Sequence, residues 1–320
     1  FPTYSLYEFP LLGVMMFPYV FHHLKGRLQL NINMKPFLKW VGGKTQILES
    51  VLGNFPEQIN DYHEIFVGGG SVLFSVLDRC NVNGKIYAYD LNKTLIQVYK
   101  DVQSRPTELH TEIMKLFNVY DGLIGTDINR KPSNENEAMT SKESYYYWIR
   151  HLYNTDVGDR SAMFIFLNKT CFRGVFREGP NGFNVPYGHY KSTPQFLTLD
   201  EFKNISTKLQ RVEFKHCDFR DAIARVKSDD FMYLDPPYAP ETKTSFVGYT
   251  KDGFGLEDHE TLFKMIKTSG AQFVMSNAGV DLVRNTFCDY KIHDVKARRA
   301  INSKNPEATT TEVLVRSSSR

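Results

Sequence analysis

The chain has 320 residues, 42% of them hydrophobic and 23% charged, which is length for about two domains and excludes disordered, collagen-like and disulfide-scaffold classes. Its 39 Lys and Arg against 36 Asp and Glu leave a net charge of +3, which excludes a uniformly basic nucleic-acid coat while permitting a local basic face. Cys80, Cys171, Cys217 and Cys288 stand far apart with no CxxC or His/Cys cluster, so they read as reduced thiols and no metal site is expected.

Taken in chain order, Phe1 to Leu24 is apolar and aromatic but broken by Pro2, Pro10 and Pro18, with no basic segment before it. That argues against a spanning helix and against a signal peptide. Met34 opens a segment that reads like a natural start, so residues 1–33 are read as an extension outside the functional fold, with a targeting or anchoring segment as the alternative. Thr45–Leu52 carries apolar residues at helical spacing. Glu64–Val67 reads as a short strand running into Gly68-Gly69-Gly70, Ser71–Leu77 as a helix, and Lys85–Asp90 as the next strand. Strand, glycine turn, helix, strand is a βαβ unit of a parallel sheet.

From residue 94 to 196 the texture changes to helical segments (Thr107–Leu116, Ser141–Tyr153, Arg160–Leu167) joined by polar loops, then an irregular Gly/Pro/Asn-rich stretch, Gly174 to Pro194. This reads as an inserted, mostly helical second domain between two halves of an α/β body, residues 34–93 and 197–320. In the second half Val212–Phe214 and Phe231–Leu234 read as strands, His259–Lys267 as a helix and Gln272–Met275 as a strand. Lys291–Lys296 and Thr311–Val315 read as antiparallel strands around a polar loop.

The strongest chemical signal is Asp235-Pro236-Pro237-Tyr238, directly after an apolar strand and so at the carboxyl end of a sheet, where α/β ligands bind. The prolines lack an N–H and fix φ, so pairing stops and the turn stiffens. The Asp235 carboxylate and the Pro236 carbonyl offer two acceptors, suited to an amino group with two hydrogens, and Tyr238 offers a stacking face. An ordinary strand-end turn is the competing reading. Gly68-Gly69-Gly70 permits close backbone approach to a ligand, and Asp90, at the next strand end, stands at about the 20-residue spacing of a ribose acceptor. The dinucleotide pattern is incomplete, because Leu73 holds its third glycine position, so an adenosine-containing cofactor fits without a commitment to a dinucleotide.

Gly42-Gly43-Lys44-Thr45 lacks the earlier glycine of a phosphate-binding loop, since that position is Leu38. Trp40 and Lys44 around those glycines still make a wall for an anionic or aromatic ligand. No GxSxG or HExxH pattern is present, and His259 reads as a surface helix residue. Asn168 to Pro194 mixes Arg173, Arg177, Lys169 and Asn184 with Phe172, Phe176, Phe183 and Tyr187, the groups that read base edges and hold phosphates. Lys296, Arg298, Arg299 and Lys304 form a second basic cluster.

Phe37-Leu38-Lys39-Trp40-Val41-Gly42-Gly43-Lys44, Phe66-Val67-Gly68-Gly69-Gly70-Ser71, Asp90-Leu91-Asn92, Phe183–Gly188, Asp235–Tyr238 and Arg298-Arg299, in this order, resemble the Dam-type (alpha-group) DNA adenine-N6 methyltransferases from about Met34 to Val315. Two positions depart from that pattern: Ile65 stands where relatives often have Pro, and Phe172-Arg173-Gly174 where many have an aromatic residue followed by Asn-Gly. The resemblance implies an α/β fold, a Rossmann-like S-adenosylmethionine-dependent methyltransferase domain with residues 94–196 as a helical target-recognition domain. It implies S-adenosylmethionine as methyl donor and no metal. Trp40, Gly42, Lys44, Phe66, Gly68, Gly70, Asp90, Asp218 and Asp235 would bind the cofactor, and Asp235, Pro236, Pro237 and Tyr238 would hold a flipped adenine. Arg173, Arg177, Asn184, Arg298 and Arg299 would contact double-stranded DNA. It further implies a cytoplasmic monomer or weak dimer with no membrane, and a cognate restriction endonuclease acting separately. The alternatives left open are transfer to another exocyclic amine, cytosine N4 or RNA adenine, and a catalytically inactive DNA-binding relative.

Overall fold

The computed structural model describes residues 35–239, 253–298 and 309–317. The readings of residues 1–33, of Arg299 and Lys304, and of the Arg298 side chain lie outside the described residues. Among the described residues the strands are β1 (Gln58–Ile59), β2 (Tyr62–Glu64), β3 (Asn81–Val82), β4 (Ile86–Asp90), β5 (Glu178–Gly179), β6 (Gly182–Phe183), β7 (Val212–His216), β8 (Phe231–Leu234), β9 (Gln272–Ala278), β10 (Lys291–Arg298) and β11 (Thr309–Arg316). The helices are α1 (Leu48–Leu52), α2 (Ser71–Arg79), α3 (Lys93–Ser104), α4 (Pro106–Gly122), α5 (Glu135–Ala138), α6 (Lys142–Asn154), α7 (Arg160–Thr170), α8 (Leu199–Leu209), α9 (Phe219–Ile223), α10 (Leu256–Ser269) and α11 (Asp281–Thr286).

Seven strands form one sheet in the order β10-β11-β9-β8-β2-β4-β7. β9, β8, β2, β4 and β7 are mutually parallel, and β11 runs antiparallel to both β9 and β10. The chain starts at β2, steps outward through β4 to β7, then returns to β8 on the other side of β2. The strand order therefore reverses between β2 and β8, and the crevice outside the carboxyl ends of these two strands is where open parallel sheets bind ligands. All four residues of β8 are buried, as a strand covered on both faces requires. Its alternation divides the core: Phe231 and Tyr233 join one hydrophobic cluster, Met232 and Leu234 the other. The first cluster runs without a break from the sheet (Tyr62, Ile86, Ala88) into the helices of residues 94–196 (Val98, Tyr120, Tyr146, Phe166). α7 is buried at nearly every position, because its run Ala162–Leu167 is apolar on every face.

Helix starts are capped by residues the sequence supplies: Asn92 accepts from Leu95 N, Ser141 from Ser144 N and Asp159 from Ala162 N, while Thr198 and Glu201 close a capping box. α3 packs on β4 and β7 and against α8. Thr45–Leu52 is not one helix. A 3-10 turn at Lys44–Gln46 precedes α1, because the Lys44 backbone N–H donates to Ser71 Oγ (3.0 Å) and its side chain is drawn inward. The first strand ends at Glu64 rather than Val67. Beyond it Ile65 N bonds Tyr233 O and Val67 N bonds Tyr89 O, so the segment still bridges both neighbouring strands.

His259 corrects its sequence reading. It is 1% exposed, and its ring lies 4.7 Å from that of Phe254 and 5.7 Å from that of Phe263. His259, Leu262, Phe263 and Ile266 are the buried stripe of α10 at helical spacing, so tertiary packing captures a residue that its polar neighbours Asp258 and Glu260 disguise. Burial pulls the imidazole down to about 4, so it stays neutral at physiological pH. Among the described residues no helix is long and apolar enough to cross a membrane.

Candidate active site

Asp235 leaves the end of β8 at the point where strand order reverses. Its Oδ2 lies 2.7 Å from Lys44 Nζ, whose side chain is only 4% exposed. That ammonium also donates to the Gly42 carbonyl and stands 5.0 Å from the centre of the Tyr238 ring. Asp235 Oδ1 is buried and accepts no hydrogen bond from the described residues. A buried lone pair without a donor is costly unless a ligand supplies one. Burial pushes the Asp235 carboxyl up to about 6. The Lys44 ammonium opposes that shift and the Glu312 carboxylate adds to it. The Tyr238 hydroxyl donates to Glu312 Oε2 at 2.7 Å, and burial holds the phenol far above its ordinary range, so it remains a donor. One residue on, Ala239 N donates to Asn277 Oδ1 at 3.0 Å. Pro236 is buried and Pro237 half-buried.

The glycine turn after β2 forms the facing wall. Gly68 and Gly70 have φ of +48° and +73°, conformations that side chains with a Cβ rarely adopt. Asp90 ties the turn: Oδ2 accepts from Gly68 N at 3.0 Å and Oδ1 from Asn92 N at 2.9 Å. Burial raises its carboxyl, opposed by those backbone donors. Each of its oxygens keeps a second lone pair for a ligand hydroxyl. The Trp40 indole packs against the turn; a Cβ at Gly68 would come within 2.8 Å of Trp40 Cδ1. On its other contacts Trp40 stacks with Phe176 (centroids 5.8 Å, 16°) and Phe164 (6.4 Å, 28°). Phe66 meets Phe219 and Phe254 with centroids 6.1 and 6.2 Å away. Asp218 caps α9 and pairs with Arg220, which also binds Asp258.

Besides Glu312 and Asn277, two further groups escape sequence reasoning. Glu64 is 2% exposed at the end of β2, accepts from the Tyr62 hydroxyl at 2.7 Å, and is pushed up to about 8 by burial. The available signal is an acid at the start of the apolar run, three residues short of the glycine turn. Asn168 clamps the backbone of Lys39: its Oδ1 accepts from Lys39 N (2.9 Å) and its Nδ2 donates to Lys39 O (2.7 Å), across 129 residues. No local pattern announces that pairing.

The basic loop is drawn together in part. Arg177 Nε donates to Asn184 Oδ1 at 2.7 Å across the β5–β6 hairpin, and both residues are exposed. Arg173, at φ +56°, occupies a 3-10 turn with its guanidinium 5.1 Å from the ring of Phe172, which is 46% exposed. That turn is pinned by Phe172 N to Pro186 O and Gly188 N to Thr170 O. Arg298 ends β10.

Comparison with known proteins identifies the family. The model of the D12 class N6 adenine-specific DNA methyltransferase family matches residues 40–301. The type II methyltransferase M.MjaIII of Methanocaldococcus jannaschii is 36% identical over 289 residues, covering 85% of this chain and 94% of that protein. The type II methyltransferase M1.LlaDCHI of Lactococcus lactis subsp. cremoris is 31% identical over 303 residues, covering 90% and 97%. A DNA adenine methylase of Haemophilus influenzae is 30% identical over 291 residues, covering 88% and 93%. A family match that runs from Trp40 in the first loop of the site past the strand-end Asp235 establishes that the chain belongs to the D12 class of N6 adenine-specific DNA methyltransferases.

Proposed function

We propose that this adenine-specific DNA methyltransferase takes its methyl group from S-adenosylmethionine and delivers it to the N6 amino group of an adenine flipped out of duplex DNA. The observation that carries the reading is Asp235: a half-buried carboxylate with Oδ2 on Lys44 and its buried Oδ1 without a donor among the described residues, at the strand-order reversal. Adenine's amino lone pair is delocalised into its ring, so the nucleophile is weak. Asp235 Oδ1 and the Pro236 carbonyl accept its two N–H bonds and aim the lone pair, so that most of the acceleration is alignment and charge placement. The base leaves the stack at a cost of a few kcal/mol, which stacking on Tyr238 offsets in part.

The donor set suits the cofactor: acids at the ends of β2 and β4 for its amino and hydroxyl groups, and a glycine turn for close approach. When bound, it supplies an electrophilic methyl group on a sulfonium. Trp40, Gly42, Lys44, Phe66, Gly68, Gly70, Asp90, Asp218 and Asp235 are assigned to it. Arg173, Arg177, Asn184, Arg298 and Arg299 are assigned to DNA, residues 94–196 to target recognition, and residues 34–93 and 197–320 to the catalytic body. Residues 1–33 are assigned to neither. A cytoplasmic monomer or weak dimer, with a cognate restriction endonuclease acting separately, completes the proposal.

The test is transfer of labelled methyl from S-adenosylmethionine to DNA, followed by digestion to nucleosides. The wild-type chain yields N6-methyladenine; Asp235→Ala, still folded, yields none. Label in cytosine, or near-wild-type transfer by Asp235→Ala, overturns the reading.

A further inference from the structure

Tyr238 follows two prolines, and among the described residues the group that fixes the phenol end of its ring is not in its own segment. The fixing group comes from 74 residues away, where Glu312 Oε2 accepts the hydroxyl proton at 2.7 Å. Glu312 is a firm anchor because β11 is paired on both sides there, with Ala278 of β9 and Val295 of β10. The neighbouring register pair, Val313 with Asn277, brings Asn277 Oδ1 onto the backbone N–H of Ala239. Two adjacent strands thus hold consecutive residues, one by its side chain and one by its main chain. On the other side the Lys44 ammonium lies 5.0 Å from the ring centre. The carboxylate acceptor makes the phenol bond charge-assisted, roughly twice as strong as a neutral one.

We propose that Glu312 is a positioning residue for methyl transfer, holding the Tyr238 ring in the plane against which the target base stacks. The proposal rests on the reading of Asp235–Tyr238 as the segment that holds adenine. It adds a role for the antiparallel last strand, which lies outside the parallel βαβ frame of the site. Without the tether the ring rotates about its side-chain torsions, and the extruded base loses a defined stacking face and its approach to Asp235. Glu312 also acts on Asp235 through charge. The groups facing that carboxylate are Lys44, Glu64, Glu312, Tyr233 and Tyr238, and Glu312 raises its proton affinity.

The experiment compares Glu312→Ala, Glu312→Gln, Tyr238→Phe and the Glu312→Ala/Tyr238→Phe double variant in the full chain. Single-turnover methyl transfer is read at saturating S-adenosylmethionine on duplex DNA with adenine at the target position, base exit is read separately on a duplex carrying 2-aminopurine there, and thermal midpoints are taken alongside. Glu312→Ala lowers the transfer rate about 10- to 100-fold, as loss of a hydrogen bond to a charged group predicts. Tyr238→Phe, which keeps the ring and loses the hydroxyl, lowers it similarly, and the double variant is no slower than either single one. Glu312→Gln retains most of the rate, because its amide oxygen still accepts. Its acid limb moves to lower pH, because the negative charge that favours protonated Asp235 is gone. Base exit persists in Glu312→Ala, but with a changed final 2-aminopurine signal. Multiplicative losses in the double variant, an unchanged rate in Glu312→Ala, or a rate loss that follows the thermal midpoint each overturn the proposal. These outcomes leave adenine-N6 transfer by the wild type intact, whereas absence of N6-methyladenine from the wild type overturns the underlying function.

Discussion

Lys44→Met removes the cation that keeps Asp235 ionised, and its consequence follows from geometry. The two charges are 2.7 Å apart. At that distance Coulomb's law gives about 1.5 kcal/mol with the dielectric constant of water and about 6 kcal/mol at an effective constant of 20. The smaller figure alone is about one pKa unit. Asp235 stands at about 6 with Lys44 in place, so without it the carboxyl moves to about 7 or above. At pH 7 the ionised fraction falls from about nine-tenths to about half or less. A protonated Asp235 is a donor facing the amino group and no longer the acceptor that aims it. The assay is the pH dependence of single-turnover methyl transfer at saturating S-adenosylmethionine and DNA, which removes any effect of Lys44 on cofactor affinity. The acid limb shifts upward by at least about one unit in Lys44→Met and stays in place in Lys44→Arg, which keeps the charge. A limb still near pH 6 in a folded Lys44→Met refutes the electrostatic argument.

The other expectations are narrower. Glu64 has a folded-state value raised from the ordinary 4.5 to about 8, so its stabilisation is present below pH 4.5 and lost as pH rises through 8. The loss amounts to at most about 5 kcal/mol. Glu64→Gln therefore gains on the wild type between pH 5 and pH 9 in denaturant titrations, and an equal difference at the two pH values refutes it. Gly68→Ala forces a Cβ to φ +48° and into the Trp40 indole, costing about 1–3 kcal/mol of stability and weakening S-adenosylmethionine binding in calorimetry. Unchanged affinity in that variant refutes the role of the turn. Arg177→Ala leaves the thermal midpoint nearly unchanged, because the side chain is exposed, but lowers DNA affinity and reduces the slope of log affinity against log salt by about one. An unaltered slope removes Arg177 from the DNA contacts.

Much of the site was legible because its residues announce themselves locally. Asp235 to Tyr238 follows four apolar residues that form a strand wherever the sheet places them, and two prolines end that strand regardless of context. Gly68 and Gly70 adopt positive φ because they lack a Cβ, and Asp90 ends a short apolar and aromatic strand. His259 was misread for the converse reason: its immediate neighbours are polar, and only the packing of α10 under Phe254 decides that it is buried.

Side-chain chemistry and local backbone preference thus determined by themselves the strand-end acid, the glycine turn, the helices α2, α4, α6, α7 and α10, and the family likeness, while α3 and α8 carried no reading of their own. Only the tertiary structure decided which of these groups meet. The order β9-β8-β2-β4-β7 puts β2 beside β8 although their residues are far apart in the chain, so the glycine turn and Asp235 share one crevice. Lys44 reaches Asp235 across that crevice, and Glu312 reaches Tyr238 from the last strand. Such pairings depend on strand register and on burial, which raises the cost of an unpaired charge. Neither quantity exists until the sheet has closed over its core.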